Sequence, residues 1–160
     1  MVDASTEKLN EFQRFIDFVK SIAILDEQFW NTSIGPGKWT VKEIIAHIML
    51  WDKYFLEEAI EKIATKRPLT VKHLDFDTFN ENAMTYSRNI RVEELVLDTI
   101  RYRAQIIDLI RSIPEEDIYF EHIDGDGNIF TINEYLKGFI AHDQQHQSQI
   151  ESLLHQYNIG

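Results

Sequence analysis

The sequence predicts an all-α protein, a four-helix bundle with a long crossover between its second and third helices. Three observations carry that prediction. Apolar residues recur at steps of three and four through four long stretches. Capping-box patterns open two of those stretches. The few prolines and glycines, three and six, fall mostly in the gaps between them. A chain of 160 residues favours one domain, spanning 1–160, and is long enough to bury a core.

The first helix is expected from about Thr6 to Leu25, where Leu9, Phe12, Ile16, Val19 and Ala23 form a stripe that Phe15, Phe18 and Ile22 widen. Gly35, Pro36 and Gly37 break the period and make Asn31 to Lys38 a loop. Thr40 followed three residues later by Glu43 satisfies orphan amides at a helix start, and Val41, Ile44, Ile45, Ile48, Phe55, Ala59, Ile60 and Ile63 continue that helix to Ala64. Lys66 to Asp77 reads as a connection, followed by a weaker helical pattern over Phe79 to Arg88. From Glu93, the residues Leu95, Val96, Thr99, Tyr102, Ile106, Leu109 and Ile113 define the third long helix, which Pro114 ends. The tract Asp124-Gly125-Asp126-Gly127-Asn128 within Ile118 to Phe130 indicates a loop or small hairpin. Thr131 with Glu134 then opens the last helix, which turns Ile132, Tyr135, Leu136, Phe139, Ile140, Ile150, Leu153 and Leu154 inward.

Sixteen basic against 27 acidic residues give a net charge of −11, which argues against nucleic acid and anionic membranes as partners. No apolar run reaches the roughly 18 to 20 residues that cross a bilayer, and MVDASTEKLN lacks the sections of a secretory signal. Both features point to a cytoplasmic protein. The absence of cysteine removes thiolate ligands and nucleophiles, so a metal would rest on histidine and carboxylate.

The last helix carries His142-Asp143-Gln144-Gln145-His146. At a spacing of four residues the two imidazoles share a face, with Cβ atoms about 5 to 6 Å apart, and both can reach one ion. They lie on the core stripe itself: Tyr135, Phe139, His142, His146, Ile150 and Leu153 follow at steps of three and four. His47 likewise falls among Ile44, Ile48 and Trp51 on the second helix. Three inward imidazoles cost roughly 1 to 3 kcal/mol each if unsatisfied, and one divalent cation would satisfy all three. Hydrogen bonds to carbonyls or carboxylates are the competing explanation. The pair is not a zinc-peptidase motif, because Asp143 stands where H-E-x-x-H has its general-base Glu.

Other candidates weigh less. Asp124, Asp126 and Asn128 imitate the start of a calcium loop, but Ile129 and Tyr135 occupy the positions of its Gly and closing Glu, so a turn is favoured. His73, His122 and His155 read as solvated surface, and most acidic residues as solvated helix face. Trp39 reads as packing, while Trp51, one turn from His47, is a candidate wall of a metal pocket. There is no Gly-rich phosphate loop and no serine nucleophile elbow.

The stretch Lys38 to Ile48 followed by Trp51-Asp52 resembles the second-helix signature of the DinB-like superfamily, including its YfiT-type members, and Phe130 to Ile150 is similar to its last-helix signature. The resemblance implies a divalent metal, zinc or nickel before iron or manganese, held by His47, His142 and His146 with water completing the shell. It also implies an enzyme acting on a small molecule and, on the same ground, a homodimer. Some relatives transfer low-molecular-weight thiols such as bacillithiol, and others are described as metal-dependent hydrolases.

The leading expectation is therefore a transferase that presents a thiolate to an electrophile. A hydrolase, a non-catalytic metal or small-molecule binder and a metal-free bundle are the rivals. Trp51, Tyr135, Phe139, Asp143 and Gln149 are candidates for the pocket wall or for bonds to the ligands. Gln149 lies three residues beyond His146, Asp143 points about 100° around the helix from His142, and no residue is assigned as general acid or base.

Overall fold

The computed structural model describes residues 4–159. Helix α1 (Ala4–Ala23) buries the predicted stripe, including Phe12, Val19 and Ile22. Its C-terminal end is held by the Trp30 indole, whose Nε1–H donates to the Ile22 carbonyl at 3.1 Å. Trp30 belongs to a one-turn helix, α2 (Glu27–Trp30), that the sequence reading leaves unassigned; Asp26 caps it by accepting from the Phe29 amide at 2.9 Å.

Helix α3 (Val41–Phe55) starts on a complete capping box, with the Thr40 amide donating to Glu43 Oε1 at 2.9 Å and the Glu43 amide donating to Thr40 Oγ1 at 3.1 Å. The expected rod to Ala64 is not uniformly α-helical: Leu56–Ile60 is a π-helical turn, followed by α4 (Glu61–Ala64). The wider turn aims Leu56 and Ile60 at the bundle while Ala59 meets Leu69 and Val71 of the crossover. The Glu58 carbonyl within that turn accepts from the amides of Thr70 and Val71, each at 3.1 Å, which docks the crossover against the rod.

The crossover turns at Lys66, whose φ of 57° is left-handed. It ends in α5 (Phe76–Arg88), which starts three residues before the expected Phe79 because Asp75 caps it, accepting from the Asp77 amide at 3.0 Å. Helix α6 (Val92–Ser112) and the one-turn α7 (Glu115–Ile118) lead to the expected small hairpin. There β1 (His122–Ile123) pairs antiparallel with β2 (Ile129–Phe130), His122 opposite Phe130. Gly125 at its tip donates to the Val71 carbonyl at 2.7 Å; a Cβ there would stand 2.8 Å from Lys72 Cγ and 2.9 Å from the Thr70 carbonyl, so glycine is what permits the contact. In α8 (Ile132–Ile159) the Glu134 amide donates to Thr131 Oγ1 at 3.1 Å.

Helices α1 and α3 each pack against both α6 and α8, so sequence neighbours α1 and α3 lie across a diagonal of the bundle. Two core clusters give the directions. One joins the C-terminal half of α1 and the end of α8 to the starts of α3 and α6; the other joins the start of α1 and of α8 to the ends of α3 and α6. Helices α1 and α8 therefore run parallel to each other and antiparallel to α3 and α6. A parallel α3–α6 pair cannot be joined by a tight turn, which is why the long crossover with α5 lies between them. Among the described residues no helix is long and apolar enough to cross a membrane.

Candidate metal centre

The early part of α3 and the middle of α8 meet where His47, His142 and His146 converge. One ring nitrogen from each lies within 4.8 Å of the others. The Nε2 atoms of His47 and His142 are 3.2 Å apart. Metal–nitrogen bonds of about 2.0 to 2.1 Å span roughly 3.3 Å between two ligands of a tetrahedron and about 3.0 Å between two cis ligands of an octahedron. The observed separation fits ligation and lies between the two geometries.

His47 is only 5% exposed. Burial first, then the neighbouring His142 and His146, push its pKa down to about 3, against a raising contact from Asn80. Burial and His146 likewise bring His142 down to about 4, opposed by Asp143 and aided by Arg103. Burial also lowers His146, against the pull of Gln149 and Asp143. All three rings are thus neutral near pH 7, the state in which imidazole offers a lone pair to a cation. The Gln149 Oε1 lies 3.0 Å from His146 Nδ1, which assigns a proton to Nδ1 and leaves Nε2 bare for a ligand contact. The Nδ1 atoms of His47 and His142 are buried without a hydrogen-bond partner. A 3.2 Å N–H···N bond between the two rings would satisfy one donor; a shared cation would engage both Nε2 lone pairs and His146 together, and the donor set fits such an ion.

The three rings form the polar floor of a cavity of about 550 Å³, whose walls are Trp39, Trp51, Phe55, Phe76, Phe139 and the open backbone at Gly138, with Asn80 as the remaining polar group. Trp51 is fixed by stacking on Phe79 at 3.8 Å and stands edge-on to His47. No carboxylate lines the cavity among the described residues. A dication on neutral imidazoles would keep its full charge, a setting that favours an anionic fourth ligand.

Of the residues singled out in the sequence, Trp51 and Phe139 stand in this wall and Gln149 touches His146 from outside it. Tyr135 does not line the cavity; its ring packs one helical turn and more below, among Phe12, Phe55 and Phe130. Asp143 turns away from the metal site into the bundle, where Arg103 Nη1 donates to its Oδ2 at 2.7 Å. Asp143 is therefore neither in the pocket wall nor bonded to a histidine, and Asp52, also fully buried against Arg103, departs from the solvated face expected of most acids. Burial pushes Asp52 up to about 6, against the pull of the guanidinium. Asp124 serves the hairpin turn, its Oδ1 accepting from the amides of Asp126 and Asn128 at 2.9 Å each. His73 and His155 are exposed, and His122 is half-buried at the far end of the bundle.

Asn80, Phe55, Phe76 and Gly138 are absent from the sequence reading of the site. The first and third sit on α5, whose approach to α3 has no signature in the chain. Arg103 was detectable in principle as a charge between Thr99 and Ile106 on a buried stripe.

Residues 13–150 match the sequence profile of the DinB superfamily. The fold is similar to that of YfiT from Bacillus subtilis, described as a probable metal-dependent hydrolase with an unusual four-helix bundle topology; the TM-score is 0.74 at 14% identity, covering 99% of this chain and 91% of that one. No curated protein matches the sequence.

Proposed function

The chain belongs to the DinB superfamily, and on that premise we propose that it is a metal-dependent enzyme whose His47, His142 and His146 hold a divalent ion, zinc or nickel, to activate a small nucleophile. The observation that carries this reading is the convergence of three neutral imidazoles on the floor of an otherwise apolar cavity. An ion held there supplies Lewis-acid chemistry, lowering the pKa of a thiol or water bound to it.

Transfer of a small thiol to an electrophile is the reaction best suited to the lining. The thiol proton leaves to solvent, a sulfur–carbon bond forms, and the leaving group departs with the electron pair of its broken bond. Thiolate attack needs no general base in the wall, and among the described residues the wall holds no carboxylate. Trp51, Phe76 and Phe139 offer an apolar, mainly aromatic surface to the electrophile and displace water from it. Asn80 faces the cavity beside His47, where its side-chain amide can accept or donate a hydrogen bond to the substrate.

Hydrolysis is the second reading, favoured by the description of YfiT. Steady-state turnover separates the two. Metal-loaded protein is given an activated aryl halide with a panel of thiols, and separately activated esters and amides without thiol. Thiol-dependent product formation that vanishes in His142→Ala supports transfer; ester or amide cleavage independent of thiol supports hydrolysis. Stoichiometric binding without turnover in either panel would refute an enzyme.

A further inference from the structure

We propose that Arg103 is a positioning residue for the metal centre, setting the spacing between the two helices that carry its ligands; the inference rests on the three-histidine reading above. His47 is on α3 and His142 and His146 are on α8, yet these helices meet each other directly over only a short stretch. Beside the ring contacts of Trp51 and Phe55 with Tyr135 and Phe139, a side chain from a third helix ties them in the interior. Arg103 on α6 donates through Nε and Nη2 to the two oxygens of Asp52 on α3, at 2.8 and 3.1 Å. It donates through Nη1 and Nη2 to those of Asp143 on α8, at 2.7 and 3.4 Å. Its remaining Nη1–H reaches the Phe12 carbonyl of α1 at 3.0 Å, so all five guanidinium hydrogens are used.

The plane is also packed on both aromatic neighbours, with the guanidinium carbon 3.7 Å from the Phe12 ring centre and 4.6 Å from that of Phe15. Two forked pairs fix orientation as well as distance, which lysine, a point charge, would not do. Asp143 directly follows His142, and Asp52 directly follows Trp51, the wall residue edge-on to His47. Turning α8 by about 10° would move an imidazole nitrogen well outside the helix cylinder by roughly 1 Å. Ligand distances tolerate about 0.2 Å. A clamp on Asp143 therefore governs whether His142 stays in register with His47.

The test is zinc affinity, measured by competition with a chromophoric chelator, on wild type and on Arg103→Met, Asp52→Asn, Asp143→Asn and the double Asp variant. Unfolding of each apo form is followed in parallel. Removing a cation near a dication would by electrostatics alone tighten binding, whereas loss of the clamp weakens it. The expected result is zinc affinity about 10-fold or more below wild type for Arg103→Met. Should that variant not fold, the Asp pair decides: each cuts the same bridge, so each weakens zinc and the double variant is no worse than the weaker single. Variants that lose apo stability but bind zinc as wild type does would overturn the inference, leaving Arg103 a purely structural residue, as would losses that add. Wild type that binds no zinc or nickel would instead sink the three-histidine reading, and this one with it.

Discussion

Replacing Arg103 by Met leaves a side chain of similar length and no charge, and its cost follows from what surrounds it. Five hydrogen bonds are lost and two carboxylates, Asp52 and Asp143, remain in the interior with no cation. Breaking a buried ion pair from one side costs about 3 to 5 kcal/mol, because the abandoned charge cannot return to water. For a chain of this size that lowers the midpoint of thermal unfolding by roughly 10 °C. Urea unfolding of the apo protein at pH 7.5 measures it. The loss should shrink as pH falls. A carboxyl whose folded pKa lies above its unfolded value binds its proton more tightly when folded, so acid favours the folded variant. Asp52 is already pushed up to about 6 with Arg103 present, and removing the guanidinium moves it higher. Adding Asp52→Asn and Asp143→Asn should recover much of the stability, since the triad is then replaced without an unpaired charge. A loss under about 1 kcal/mol, or one that grows on acidification, would refute this account of the interior.

Acid should also destabilise the wild-type apo protein through the histidines. The folded pKa of His47, about 3, lies below its unfolded value near 6.5, so its contribution is full above pH 6.5 and is lost as pH falls toward 3. From His47 alone the loss is about 3 kcal/mol by pH 4, measurable as a fall in the urea midpoint that is larger in wild type than in the His47→Ala variant, where His142 and His146 still contribute. Gly138 lines the cavity from within α8, and a Cβ there would meet nothing within 4 Å. Gly138→Ala should raise stability by about 0.5 to 1 kcal/mol with metal content unchanged. Gly138→Phe should keep the metal and block bulky substrates, seen as lost turnover with an intact three-histidine spectrum on Co²⁺ substitution. Thr40→Ala removes half of the capping box at the start of α3 and should cost about 1 kcal/mol in urea unfolding.

The sequence carries the bundle because local chemistry specifies it. Thr40 with Glu43 marks the start of α3, and the step of three and four through Tyr135, Phe139, His142 and His146 shows which face of α8 turns inward. His47 is legible for the same reason, as a polar residue where the period demands an apolar one. Features that need a tertiary partner are not legible. The π-turn at Leu56–Ile60 exists to serve the bundle and the crossover at once, and nothing in those five residues differs from ordinary helix. Asp52 looks like a solvated acid and Asp143 like a partner of the metal ligands until Arg103 is placed between them. Asn80 enters the site only because α5 folds back on α3.

The central claim, that His47, His142 and His146 hold one divalent ion, is tested most directly by the metal content of protein purified without affinity tag or chelator. His47→Ala, His142→Ala and His146→Ala are purified alongside and each confirmed folded by circular dichroism. Near one zinc or nickel per chain in wild type, lost in all three variants, is the predicted result. Wild type without metal that takes none up on reconstitution, or folded variants that keep the full content, would contradict it.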